Sequence, residues 1–192
     1  MACPGDTIIL YSAQQPAVVQ ALLRDGVCFS RERYVKEKYG EGAALFLTVY
    51  RSFCAYAREL VPPPEGAEFP YWAFGAPENA DLSGGGQLLK LRVPRAQAVF
   101  FDMYDFVRLL QLKYLGRSEK ERRAYARELS LRGLTCEDVM LTPFYPELRG
   151  QVVRSWRALF DHSERVRAGG DIPKPGALQA ALWCLRREWL EE

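Results

Sequence analysis

A long amphipathic segment, residues 42–61, places the strongest constraint on how this chain of 192 residues folds. Its apolar residues recur at helical spacing, while Arg51, Arg58 and Glu59 fall largely on the opposite side. The run Pro62-Pro63-Pro64 ends the segment, because proline lacks a backbone N–H and disfavours helix in the residue before it. We therefore expect one long helix over residues 42–61 with a single buried face. The apolar residues of that face are Leu45, Val49, Phe53, Tyr56 and Leu60.

Short strands surround this helix in the predicted order of elements. Pro70 predicts that the strand at residues 69–74 begins at a sheet edge. The segment 177–190 fits both strand alternation and helical spacing, so its pattern leaves the two structures open. A strand-like composition or alternation is found at residues 7–11, 69–74, 88–93 and 98–101.

The remaining elements favour an α+β fold over a doubly wound one. A helix begins at Gln15-Pro16, and Asp102 is placed to cap another. Ser118 followed by Glu121 fits a capping box, and the chain from Ser118 onward is mostly helical. Strands and helices do not alternate regularly, which argues against a parallel βαβ sheet. We expect a single domain over residues 1–192, with a small mixed or antiparallel sheet, the long helix and a helix-rich C-terminal half.

Cysteine and histidine usage bears on metal binding and on cellular location. The five cysteines are widely spaced with no CxxC pair, and there is one histidine, so we expect reduced thiols and no zinc site. Cys28 and Cys54 have apolar neighbours and are predicted to fill the core. No secretory signal opens the chain and no apolar run reaches membrane-spanning length. We therefore expect a cytoplasmic protein without membrane association.

The charged residues leave several interpretations open. A net charge of +2 does not indicate general nucleic-acid affinity. Asp102 and Asp105 either cap a helix or act as an acid–base or metal-binding pair. His162 either complements a helix dipole or serves as a catalytic base. One basic segment is either a solvated face or a surface for a protein or nucleic-acid partner, and its cations are Arg117, Lys120, Arg122, Arg123 and Arg127.

Six motifs occur in a characteristic order along most of the chain. They are Leu10-Tyr11-Ser12-Ala13-Gln14, Pro70-Tyr71-Trp72-Ala73-Phe74, Leu91-Arg92-Val93-Pro94, Phe100-Phe101-Asp102, Ser155-Trp156-Arg157-Ala158-Leu159-Phe160-Asp161 and Leu178-Gln179-Ala180-Ala181-Leu182-Trp183. The ordered set resembles a small bacterial group, domain-of-unknown-function family 3841. The name of that family assigns no activity.

The strand order around these motifs is also similar to the ADP-ribosyltransferase-like superfamily. Members of that superfamily bind NAD with a His or Arg on the first strand, a Ser or Tyr on a middle strand and a Glu or Gln on a late strand. The resemblance implies that Tyr11, Gln14, Tyr71 and Trp72 bind NAD and that Gln179 is the catalytic position.

Two departures from the superfamily pattern bear on that expectation. The first strand lacks its His or Arg, which puts NAD binding in question, and Gln179 replaces the usual Glu, which puts group transfer in question. A degenerate member of the superfamily would show both departures. The alternative is that Tyr11, Trp72 and Trp183 pack the core and that Gln179 satisfies a neighbouring backbone group.

Overall fold

The structure is a computed structural model that describes residues 6–40 and 43–191, without the side chains at positions 35, 38, 39 and 43–45. The opening residues, Gly42 and the side chain of Leu45 lie outside the described residues. The strands are β1 (Thr7–Gln14), β2 (Val27–Cys28), β3 (Tyr71–Phe74), β4 (Gln87–Pro94), β5 (Ala98–Asp102), β6 (Leu178–Leu182) and β7 (Leu185–Arg186). The α-helices are α1 (Pro16–Asp25), α2 (Glu32–Tyr39), α3 (Ala43–Leu60), α4 (Met103–Leu110), α5 (Glu119–Leu131), α6 (Cys136–Leu141), α7 (Pro146–Ser155) and α8 (Ser163–Arg167).

Five strands form one antiparallel sheet in the order β4-β1-β3-β6-β5, and β2 pairs with β7 separately. This architecture confirms the α+β class, and the sheet is antiparallel rather than mixed. The prediction that Pro70 marks a sheet edge is wrong, because β3 lies at the centre of the sheet. Pro70 precedes the first residue of β3, where its missing N–H removes no ladder hydrogen bond.

The ambiguous segment 177–190 contains a central strand. β6 pairs with β3 on one side and with β5 on the other, and all five of its residues are buried. Neither neighbour lies close to it in sequence, so the pairing that settles its structure is entirely tertiary. Leu185–Arg186 then forms β7 and pairs with β2.

The sheet packs between two apolar clusters, one on each face. The long helix α3 confirms the predicted amphipathic segment, since Val49 and Phe53 are buried and Arg51 and Arg58 are exposed. Together with α4 and α7, α3 covers the face that carries Val99, Phe101 and Ala181. The opposite cluster includes residues of α1 and of β4. Among the described residues, no helix is both long enough and apolar enough to cross a membrane.

Two predicted helix caps are present, at the starts of α4 and α5. The Asp102 carboxylate accepts a hydrogen bond from the Tyr104 backbone N–H at 2.8 Å, at the start of α4. The Ser118 hydroxyl accepts one from the Glu121 N–H at 3.2 Å, at the start of α5. The Glu121 carboxylate returns to the Arg117 N–H, which closes this end of α5.

The thiol of Cys54 gives the first testable consequence of this packing. Cys54 is buried on α3, as predicted, and burial raises its pKa to about 12. A thiol whose pKa rises on folding stabilises the native state below its unfolded pKa, roughly 8.5, and loses that contribution as pH rises toward the folded value. We expect native Cys54 to resist alkylation at pH 8 and to react once the protein is unfolded in urea. Peptide mass spectrometry measures the extent of labelling. We also expect Cys54→Ala to reduce the fall in stability above pH 9. Fast labelling of the native thiol would contradict this assignment.

Candidate functional site

Three strands bring Tyr11, Phe74 and Gln179 into one row across the sheet. Tyr11 pairs with Phe74, and Phe74 pairs with Gln179, in the antiparallel registers. Directly paired residues point to the same face, with Cβ atoms about 5 Å apart. Lys90 extends the row on the β4 side and Phe101 extends it on the β5 side. We call Tyr11, Phe74 and Gln179 the central row.

One end of the central row is exposed to solvent, and the other end is covered by helices. On this face of β4, Leu88, Lys90 and Arg92 are exposed to solvent. Tyr11 and Phe74 are half-buried, whereas Gln179 and Phe101 are buried. The central row therefore lies at the border where the helical layer over the sheet ends.

Gln179 is a buried amide in the middle of this border. Its side chain is only 5% exposed, and it forms no hydrogen bond with the residues that the structure describes. The alternative that Gln179 satisfies a neighbouring backbone group therefore has no counterpart in these residues. The amide nitrogen and oxygen nevertheless keep some access to solvent, so they are open to a ligand that covers the row.

Trp72 lies on the same face but belongs to the core. Its ring contacts Phe53 and Tyr50 edge-on, with centroids 5.3 and 5.5 Å away, and Phe106 at 4.8 Å. Trp72 is partly buried and packs against the cluster beneath α3. For Trp72 the structure corresponds to the core-packing alternative.

Tyr71 and Gln14 lie on the opposite face of the sheet. Tyr71 packs against the cluster beneath α1, and burial raises the pKa of its phenol well above the usual range. The Gln14 amide donates to the Ser12 hydroxyl at 2.8 Å, and that hydroxyl donates to the Trp72 carbonyl at 2.6 Å. The structure thus does not bring all five predicted residues into one cleft.

Strand geometry explains this division. Successive side chains of a strand point to opposite faces, so the neighbours Tyr71 and Trp72 cannot share one. The same alternation separates Tyr11 from Gln14, which lie three positions apart on β1. The residue that joins the row is Phe74, which was not among the residues predicted to bind NAD. Its signal was available, because Phe74 has the same strand parity as Trp72.

The basic segment around α5 is largely paired with acidic residues. Arg122 and Arg123 both contact Glu119, at 3.1 and 2.8 Å, and Arg117 contacts Asp161 at 2.9 Å. The side chains of Lys120 and Arg127 form no ion pair with any residue that the structure describes. Arg117 and Arg122 line a cavity, which the spacing of charges along the chain does not indicate.

That cavity, of about 150 Å³, lies beside the edge strand β5 and gathers residues that are distant in sequence. Asp102, Asp105 and His162 line it, together with Lys174, whose ammonium contacts Asp102 at 2.8 Å. No local pattern in the sequence links Asp102 with His162, so each was a separate candidate for a catalytic role. No group of three or more His, Cys, Asp or Glu within the described ranges is placed to hold a metal ion.

Comparisons with known proteins identify the family of the chain. A family model described as "Domain of unknown function (DUF3841)" matches residues 9–191. Neither the curated proteins nor the solved structures give a match. The match covers the strands of the central row except for the first two residues of β1. The chain therefore belongs to the DUF3841 family.

Proposed function

We propose that this protein binds NAD across the central row and that it is a degenerate ADP-ribosyltransferase-like protein. The observation that carries the proposal is the Gln179 carboxamide, which belongs to a residue only 5% exposed, keeps some solvent access and forms no hydrogen bond with the described residues. Two half-buried aromatic rings stand beside it in the same row. A ligand over the row would supply the partners that the amide lacks.

The chemistry of the row suits the parts of NAD. The rings of Tyr11 and Phe74 offer apolar surface for stacking by nicotinamide. The Gln179 amide has both donors and an acceptor, so it can orient ribose hydroxyls or the nicotinamide carboxamide. Lys90, exposed at the open end, forms no ion pair with described residues and can contact a diphosphate.

The amide at position 179 also predicts weak catalysis. Cleavage of the nicotinamide bond builds positive charge on the ribose, and a carboxylate stabilises that charge better than an amide does. The chain should therefore bind NAD and release nicotinamide slowly. In the same assay, Gln179→Glu should release nicotinamide faster than the unmodified chain.

A thermal shift experiment tests the binding. With NAD at a hundred times its dissociation constant, linkage stabilises the folded state by about 2.7 kcal/mol. For a domain of this size, that free energy corresponds to a rise of about 5–10 °C in the melting temperature. Gln179→Ala and Tyr11→Ala should abolish the rise, because they remove the amide and one of the two rings.

The opposite face of the sheet provides matched controls. Tyr71→Phe and Gln14→Ala change residues of the same strands and should keep the full NAD shift. No shift in the unmodified chain at millimolar NAD would overturn the proposal. A shift lost equally in the controls would place the ligand elsewhere.

A further inference from the structure

A second cavity, of about 440 Å³, adjoins the cavity beside β5 and is strongly cationic. Three guanidinium groups line it, those of Arg117, Arg154 and Arg157, against the carboxylate of Glu121. That carboxylate accepts a hydrogen bond from the Arg117 backbone N–H at 2.8 Å. Among the described residues that line this cavity, Glu121 is the only acidic one, and its carboxylate is already occupied by the end of α5.

The arginines are available to an external anion. Arg117 pairs with Asp161 at 2.9 Å and Arg157 pairs with Glu59 at 3.0 Å, in bridges whose side chains are largely solvent-accessible. Such exposed bridges contribute little to stability and are easily exchanged for a ligand. The Arg154 side chain forms neither an ion pair nor a hydrogen bond with residues that the structure describes.

Gly150 leaves room for the guanidinium of Arg154. A Cβ at position 150 would lie 3.0 Å from the Nη1 atom of Arg154, closer than ordinary contacts allow. The guanidinium of Arg154, a residue that lines the cavity, therefore lies against the bare backbone of Gly150. Among the described residues, no carboxylate pairs with it.

The two cavities join at Arg117 and form one site of limited size. Leu115, Gly116 and Ala158 line both of them. The inner cavity has a volume of about 150 Å³. Its lining combines apolar residues with charged ones, among them the Lys174–Asp102 pair, Asp105 and Asp161.

We infer that this double cavity binds a small organic anion, with its phosphate or carboxylate at Arg117 and Arg154 and its body in the inner cavity. The planar guanidinium fork matches both oxyanions with two parallel hydrogen bonds. The lining of the two cavities contains none of the central-row residues Tyr11, Phe74 and Gln179. The double cavity is therefore a different site from the central row.

The test is a thermal shift with three probes, namely glycerol 3-phosphate, succinate and inorganic phosphate. At ten times its dissociation constant, one of the two organic anions should raise the melting temperature by roughly 3–6 °C. The comparison of glycerol 3-phosphate with succinate decides between phosphate and carboxylate. Inorganic phosphate should give a smaller rise, because it leaves the inner cavity empty.

Variants locate the effect and separate it from NAD binding. Arg117→Met and Arg154→Met should remove the rise while keeping the NAD shift, and Arg127→Met, on the outside of α5, should keep both. Circular dichroism confirms that each variant is folded. A flat response to all three probes overturns the inference, as does an equal rise with inorganic phosphate. Binding of an oligonucleotide alone, with a steep salt dependence and loss in Arg127→Met, would assign the surface to a macromolecular partner.

Discussion

Replacing Phe53 by alanine should lower the free energy of unfolding by about 3–5 kcal/mol. Phe53 is 1% exposed on α3, and its ring centroid lies 5.1–5.6 Å from four other aromatic rings. Those rings are Trp72, Phe101, Phe106 and Phe160, and they come from β3, β5, α4 and the turn after α7. Truncation therefore opens a cavity where four separate elements meet, and no single neighbour can fill it.

Urea unfolding, followed by tryptophan fluorescence, measures this loss. At roughly 2–4 °C per kcal/mol, the melting temperature should fall by about 6–20 °C. Leu131→Ala is the matched control, since Leu131 is 79% exposed at the end of α5 and should change stability by less than about 0.5 kcal/mol. A loss below about 1 kcal/mol for Phe53→Ala would mean that the aromatic cluster does not organise the fold.

Replacing Trp156 by alanine should destabilise the fold by a similar amount, about 3–5 kcal/mol. Trp156 is fully buried at the end of α7, and its indole N–H donates to the Lys113 carbonyl at 2.9 Å. That hydrogen bond joins the connection between α4 and α5 to the helical layer. The substitution removes both the packing of the ring and the partner of the carbonyl.

Trp156→Phe separates these two contributions. Phenylalanine keeps an aromatic ring in the core but leaves the Lys113 carbonyl without its donor, which should cost about 1–3 kcal/mol. Phe144→Ala, at an aromatic residue that is 77% exposed, serves as the control and should be nearly neutral. If Trp156→Phe were also neutral, the hydrogen bond would contribute nothing, and the ring alone would account for the loss in Trp156→Ala.

Part of the candidate site could be predicted from the sequence. The ordered motifs marked Tyr11 and Gln179, which the structure places in one cross-strand row with Phe74 between them. Strand alternation was also readable, and it separates Tyr71 and Gln14 from that row. What the motifs did not contain was the order of the strands, which depends on pairings between segments far apart in the chain.

The double cavity beside β5 shows the opposite case. Asp102, Arg117 and His162 each belong to local patterns that have an ordinary structural explanation, such as a cap or an ion pair, and no local pattern marks Arg154. Their meeting depends on how α4, α5, α7 and the last loop pack against an edge strand. No spacing within a single helix or strand carries that information.

The sequence by itself determined the elements that depend on local interactions. The long helix α3 follows from its apolar period and from Pro62-Pro63-Pro64, and the caps at Asp102 and Ser118 follow from side-chain hydrogen bonds within a few residues. Only the tertiary structure decided that residues 178–182 form a central strand and that β3 is not an edge. The physical reason is that a strand obtains its hydrogen bonds from other segments, whereas a helix obtains them from itself.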